Sequence, residues 1–474
     1  MNLVPFEPVG QLGLGVPPLP WIVAESTYSS FRKVDAVSLL RRGHRRQDMS
    51  ERIPLMDSGS DVVHRCAAGI DISKSDAKVC VRRIPPGKVR AVNQTKVFGS
   101  TMSQIRLLRE WLVESEVECV AMESTSAYWK PFWDGLDGAG FEVVLSNAQA
   151  VKQLRGRKTD IADAAWLAKL AALGMAPVSF VPPREVRDLR LATRTRVRLV
   201  RQSTGMIATV EKMLEDTGSK LSVAGSKLLT VSGRAMLDAM CAGQVDPHLL
   251  AQLSQLRKTT GDQLVEALEC AMRPVHQVLV SSLLSLVDQI TAHVHAVDAE
   301  IDRLAGPFEH QIGLLCTIPG VDRTLACAII AETGVDMSMF PTAKRLAAWA
   351  GVAPGQSQSA GRSHAVGTRK GNKYLKAALG QAARSAANTK NTYLQARFFK
   401  IRARRGEAKA YSAVARSILV SVWAMLAHNQ PYRDLGHDYY TRTATTAQKA
   451  RIQARAEATL ERLGVNYTIN NPTC

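Results

Sequence analysis

From Cys66 onward the hydrophobic pattern sets out three strands before the first helix, and few α/β folds accept that order. Ala67 to Ile72 reads as a buried strand, Ala77 to Arg82 as its hairpin partner and Arg90 to Phe98 as a third strand. There follow a helix over Met102 to Val113, a strand at Cys119 to Met122, a helix from Ser126 to Leu136, a strand at Phe141 to Leu145 and a helix from Ile161 to Leu173. A doubly wound sheet needs a helix after nearly every strand, so the order β-β-β-α-β-α-β argues against it. It predicts instead a ribonuclease-H-like α/β domain over residues 61–180.

Past Pro182 and Pro183 the chain reads as almost entirely helical to Gly306, with Gly218, Gly225 and Gly243 interrupting two longer segments. Val287, Ile290, Val294, Val297, Ile301 and Leu304 recur at heptad spacing. A helical hairpin or coiled coil is therefore expected over 184–310, its seam serving either packing within one chain or a dimer. A compact helical C-terminal domain is expected over 311–440 and a charged helical tail over 441–474. Residues 1–60 lack periodicity, carry the cluster Arg41, Arg42, Arg45 and Arg46, and include Met49 as a second possible translation start. Little order is expected there.

Against 42 Asp and Glu stand 61 Lys and Arg, a formal net charge of +19. A polyanion is the partner such a surface attracts. An anionic membrane would attract it too, but no uninterrupted apolar run reaches the roughly 18 residues of a spanning helix. The longest, Ser417 to His428, is too short. No basic-then-apolar signal pattern opens the chain, and Pro5, Pro8, Pro17, Pro18 and Pro20 argue against a leading helix, so a cytoplasmic protein with no membrane partner is expected. The 8 cysteines form no C-x-x-C pair and are read as reduced, mostly buried thiols.

Carboxylates punctuate the first domain. Asp71 lies toward the end of the first strand and Glu123 ends the fourth, while Asp160 and Asp163 open a helix and share one of its faces. A carboxylate on a buried strand is costly unless solvated or neutralised by a cation. Converging carboxylates imply a hard divalent ion, Mg²⁺ or Mn²⁺, suited to phosphodiester chemistry. Taken singly, Asp160 could cap a helix and Asp163 could pair with Lys169 or Arg157. Asp76 has a sufficient explanation as a turn residue.

Two further segments carry chemistry. Leu315 to Val321 followed by the helical Thr324 to Glu332 looks like a helix-hairpin-helix, whose Pro319-Gly320 turn would present N–H groups to a phosphate or be an ordinary turn. Gly351 to Arg362 is a small-residue loop with Ser357 and Ser359; no Asp-His pair lies near to make a hydrolytic triad, and His364 reads as a surface residue. From the residues alone, a serine here is a nucleophile or an ordinary loop residue. Arg362 to Arg405 contains Arg369, Lys370, Lys373, Lys376, Arg384, Lys390, Arg397, Lys400, Arg402 and Arg404 and no acid, a bias that a solvated face would not need. Nucleic-acid contact through Arg362, Arg369, Lys370, Lys373 and Lys376 is expected, with Tyr374 and Tyr393 as stacking candidates. Arg187, Arg190, Arg194, Arg198 and Arg201 form a stripe along the first long helix that could track a phosphate backbone or face solvent.

In Gly69-Ile70-Asp71-Ile72-Ser73-Lys74, Glu123-Ser124-Thr125, Lys158-Thr159-Asp160-Ile161-Ala162-Asp163-Ala164 and the serine segment, the chain resembles the DEDD transposases of insertion sequences, relatives of the Piv and MooV invertases. The resemblance runs from about Ala68 to Leu435. It implies a RuvC-like first domain whose metal is bound by Asp71, Glu123, Asp160 and Asp163. It also implies a C-terminal transposase domain in which Ser359 attacks DNA to form a phosphoserine link, Ser357 being the alternative. Further implications are DNA partners (element ends and target), a guide RNA, and a homodimer or homotetramer with active sites shared between subunits, nucleoid-associated in action. Two other functions fit less of the pattern. A RuvC-like junction nuclease using water would ignore Ser359, and a non-catalytic binding scaffold would not need four carboxylates.

Overall fold

A computed structural model describes residues 62–124, 126–147, 160–222, 228–254, 261–355, 357–359, 362–364, 367–368 and 370–464. The N-terminal extension expected to lack order lies outside them. Strands β1 (Cys66–Ile72), β2 (Asp76–Arg83) and β3 (Val92–Gly99) precede helix α1 (Met102–Glu114), strand β4 (Cys119–Glu123), helix α2 (Trp129–Leu136), strand β5 (Glu142–Ser146) and helix α3 (Asp160–Ala172). The sheet order is β3-β2-β1-β4-β5, antiparallel from β3 to β1 and parallel from β1 to β5. That mixed sheet is the ribonuclease-H-like arrangement the strand order predicts. Helix α2 starts three residues later than Ser126, because Ser126 takes φ +50° within a turn.

Alternation along the strands sorts two cores. Ala68, Ile70, Ile72, Val120 and Met122 face Ile105, Leu108 and Leu112 of α1 and Phe132 and Leu136 of α2. On the opposite face Ala67, Cys119, Ala121 and Val144 pack with Leu167, Leu170 and Ala171 of α3. Gly69 explains how closely α3 lies: a Cβ there would sit 2.1 Å from the Ala164 carbonyl oxygen and 2.3 Å from the Ala168 nitrogen. Only glycine permits that approach.

Helix α4 (Arg184–Thr217) is followed by the short helices α5 (Val231–Cys241), α6 (Pro247–Gln252) and α7 (Gly261–Leu268), and then by α8 (Pro274–Ala305). The two long helices run antiparallel. Val186 and Leu189 share a core with Ile301 and Ala305, whereas Val210 and Leu214 share one with Val280 and Leu284 and the short helices. Arg196 bridges to Asp298 between those ends. Part of the heptad seam is thus filled within the chain, with Val287 and Ile301 buried.

The C-terminal part comprises a 3-10 turn (Gly306–Phe308), helices α9 (Glu309–Cys316), α10 (Arg323–Thr333) and α11 (Ala343–Trp349), strands β6 (Ser357–Ser359) and β7 (Arg362–His364), and helices α12 (Lys373–Asn388), α13 (Tyr393–Arg405), α14 (Glu407–His428), α15 (Tyr439–Arg442) and α16 (Thr446–Arg462). Two stretches reach the length and mean hydropathy of a membrane-crossing helix, Pro274–Cys316 at 1.2 and Glu407–His428 at 1.5. The sequence showed no uninterrupted run because polar residues fall between the apolar ones at helical spacing. In α14 that apolar stripe, including Val414, Ile418, Leu419 and Val422, is buried in the C-terminal core.

Candidate active site

Parallel pairing of β1 and β4 runs from Ala67↔Cys119 to Ile70↔Met122, so Asp71 and Glu123 follow side by side at the next step. Both are half-buried. By strand alternation both belong to the face of Gly69 and Ala121, which α3 covers. Helix α3 runs opposite to β1: Gly69 meets it at Ala164 and Ala168, and the N–H groups of Val63 and His64 bond the Ala172 carbonyl at its far end. Asp71 lies about 6.6 Å beyond Gly69 along the strand. The helix start at Asp160 lies about 6 Å beyond Ala164 in the same direction. Asp71, Glu123 and the first turn of α3, with Asp160 and the exposed Asp163, therefore converge at one end of the sheet. The side chain of Asp160 is outside the described residues.

One group at this end had no signal of its own in the sequence. Ser146 closes β5 in register with Glu123, and its hydroxyl is buried with no hydrogen-bond partner among the described residues. Asp76 behaves as the turn residue expected, accepting a 2.5 Å hydrogen bond from the Ser73 hydroxyl.

Ser359 lies in a hairpin, not the loop expected. It ends β6 opposite Arg362, which opens β7, with only residues 360–361 between them. Small residues in the sequence suit a hairpin as readily as a loop, which is why the sequence did not distinguish the two. The side chains of Ser357, Ser359, Arg362 and Arg369 are outside the described residues. Lys370 and Lys373 are exposed, while Lys376 is half-buried and donates to the Thr368 hydroxyl at 3.3 Å. At the end of α13, Lys400, Arg402, Arg404 and Arg405 are exposed as well.

Neither stacking candidate offers an open ring. The Arg194 guanidinium covers Tyr374 at 4.5 Å, and Tyr393 stacks on Tyr440, meets Tyr439 edge-on and accepts a hydrogen bond from Arg397. Half-buried aromatics with nearby cations look alike in sequence whether they await a base or pack internally.

The arginine stripe is also largely occupied within the chain. Arg187 pairs with Asp134 of α2 at 2.6 Å, Arg190 donates to the carbonyls of Ala331 and Glu332, and Arg194 grips the Glu332 carboxylate with two bonds at 2.7 and 2.8 Å. Burial brings Arg190 down to about 10, with Glu332 opposing the shift. Only Arg198 and Arg201, farther along, are exposed. Glu332 is 2% exposed and also accepts from Asn372, whose own side chain caps α12 through the N–H groups of Tyr374 and Leu375. A buried acid thus fixes α4 to α10 and to the helix that follows the serine hairpin. Its only sequence signal was an isolated Glu at the end of an apolar helix.

The Pro319-Gly320 turn packs inward. Gly320 takes φ +86°, and a Cβ there would sit 2.4 Å from the Ala386 nitrogen of α12. The N–H groups of Thr317, Ile318 and Val321 are bonded to Leu314, Leu315 and Ile318 carbonyls. Those three donors are used within the turn.

Comparisons with known proteins match both functional segments. A DEDD transposase model of the IS110 type, described as Transposase, matches residues 68–218, and the model described as Transposase IS116/IS110/IS902 family matches 313–399. The chain is 24% identical over 377 residues to the transposase for insertion sequence element IS1111A of Coxiella burnetii, covering 77% of this chain and 90% of that one. It is 25% identical over 300 residues to an uncharacterized 42 kDa protein of insertion element IS900 from Mycobacterium paratuberculosis, covering 58% and 73%. Among solved structures, T. thermophilus RuvC in complex with Holliday junction substrate matches at 16% identity, over 24% of this chain and 99% of that one, with a TM-score of 0.20. At that score the likeness adds nothing to the strand order.

Proposed function

This chain belongs to the DEDD transposases of IS110-type insertion sequences, and from that membership we propose that it cuts and rejoins DNA with a carboxylate site at Asp71, Glu123, Asp160 and Asp163 and with Ser359 as nucleophile. The observation that carries the proposal is the convergence of Asp71, Glu123 and the first turn of α3 at one end of the sheet. Two half-buried carboxylates on adjacent strands are costly to bring together, and positive charge offsets that cost; Lys78 stands in register opposite Asp71, and a bound cation would add to it. An all-oxygen donor set, with the buried Ser146 hydroxyl lacking a partner beside it among the described residues, fits a hard divalent ion such as Mg²⁺ or Mn²⁺. When bound, such an ion supplies positive charge to the phosphate.

The chain's own residues account for the rest. Asp71 and Glu123 would hold the ion from the strands, and Asp160 and Asp163 from the helix. The exposed cations Lys370 and Lys373, with Lys376, Arg362 and Arg369, hold DNA or guide-RNA phosphates in register. The Ser359 Oγ forms a bond to phosphorus as the bond to one sugar oxygen breaks, and the hydroxyl proton passes to that leaving oxygen. The phosphoserine diester keeps the bond energy, so a second strand's sugar hydroxyl can displace the serine and restore its proton without an external energy source. A guide RNA selects the target, and two or four copies assemble on the DNA.

The test is incubation with DNA carrying the element's ends and Mg²⁺, followed by denaturing electrophoresis. A protein–DNA adduct that Ser359→Ala abolishes, with binding retained, supports the mechanism. Cleavage without an adduct supports attack by water, and an adduct that persists in Ser359→Ala transfers the role to Ser357.

A further inference from the structure

We propose that His64, Cys119 and Glu142 form a three-ligand zinc site, its fourth position taken by water, at the opposite end of β4 from the carboxylates. One ligand atom from each lies within 4.8 Å of the others, and among the described residues this is the one trio of His, Cys, Asp or Glu so placed. The topology assembles it. Cys119 and Glu142 are paired first residues of the parallel strands β4 and β5, and His64 stands two residues before β1. No C-x-x-C spacing could announce a trio drawn from three strand starts.

Sulfur, imidazole and carboxylate together suit zinc, whose bonds are about 2.3 Å to sulfur and about 2.0–2.2 Å to nitrogen and oxygen. Two such nitrogen and oxygen ligands on one tetrahedral ion stand about 3.4 Å apart. His64 Nε2 lies 3.8 Å from a Glu142 oxygen, too long for a hydrogen bond and close to that spacing. The other ring nitrogen, Nδ1, faces Glu118 at 3.5 Å, as a carboxylate orienting a metal-bound histidine does. Glu118 is held in turn by the Cys66 N–H.

The field at this corner favours a cation. Two carboxylates meet the C-terminal end of α3, whose last carbonyl, that of Ala172, lies at His64. Burial holds the Cys119 thiol protonated, a cost that metal binding has to overcome, and Glu142 and Glu118 push the same way. Zinc binding would release that thiol proton to solvent and replace it with the charge the two acids lack. Glu142 is 61% exposed and leaves an entry path. The ion would tie the start of β1 to β4 and β5, about 13 Å from Glu123 at the far end of β4. Its role is to hold the sheet, and it is independent of phosphoryl transfer.

Co²⁺ is the probe. Full-length protein is stripped with chelator and titrated with Co²⁺ while thiolate-to-metal charge-transfer absorption is followed. The expected result is a band saturating at one equivalent, bleached by Zn²⁺, lost in Cys119→Ser and kept in Cys241→Ser. Glu142→Gln, at an exposed position that folding tolerates, should weaken Zn²⁺ binding at least tenfold. Absence of the band from the wild type, its survival in Cys119→Ser, or unchanged Zn²⁺ affinity in Glu142→Gln would each overturn the proposal. Oxygen ligands give no such band, so the carboxylate site at Asp71 is not being read.

Discussion

Gly69 shows how much one hydrogen atom can decide. Its missing side chain lets the backbone of α3 lie against β1, and that approach sets where Asp160 and Asp163 come relative to Asp71. In Gly69→Ala the new methyl meets backbone atoms that cannot rotate away, so α3 must lift. We expect a loss of about 3 kcal/mol, read from the urea midpoint, together with loss of strand cleavage. Gly205→Ala, where nothing lies within 4 Å, should be neutral or stabilise by up to about 1 kcal/mol. Glu332 is the second residue on which much depends. Removing it in Glu332→Ala strands Arg190 in a buried setting, at a cost of about 3 kcal/mol, toward the low end for a broken buried pair because Arg194 can turn to water. A midpoint unchanged by Glu332→Ala would mean that the two arginines find other partners at no cost.

Helices α12 and α13 carry the cationic surface, yet each uses some of its charge internally. Lys376 turns to Thr368, Arg397 to Tyr393 and Tyr440, and Lys400 lies 3.6 Å over the Tyr440 ring. The cations free to meet a polyanion are therefore fewer than the acid-free tract suggests. Replacing Lys370, Lys373 and Lys376 together by Ala should lower the slope of log affinity against log salt by about 0.9 for each duplex phosphate that is no longer neutralised. Exposure assigns most of that change to Lys370 and Lys373. A filter-binding series in salt that gave the wild-type slope would move phosphate binding to Lys400, Arg402, Arg404 and Arg405 at the end of α13.

Across the whole molecule, a long antiparallel pair separates the carboxylates from the serine in sequence, but it folds back on itself, and the start of α4 bonds both Asp134 of the first domain and Glu332 of the C-terminal part. If the active site is shared between subunits, a mixture of Ser359→Ala and Asp71→Asn proteins should recover part of the activity each lacks, up to about a quarter if only one arrangement of two subunits is competent. Adduct yield on element-end DNA measures it. No recovery above either variant alone would confine both halves of the site to one chain.

The local order of this protein was legible in its sequence because period-two and period-3.6 patterns are properties of short segments. All five strands of the first sheet, the long helices and the positions of Asp71, Glu123 and Asp163 on strand end and helix start follow from that periodicity. Charge balance likewise located the cationic tract before any neighbour was known. What periodicity cannot carry is which distant backbone approaches which. The fit of α3 on Gly69, the burial of Glu332 between two arginines, the covering of Tyr374 and Tyr393, and the meeting of His64, Cys119 and Glu142 all depend on pairs far apart in the chain. Such pairs form only when the chain closes its cores, and then the same arginine or tyrosine that could have met a nucleic acid is held by a neighbour that no local pattern names.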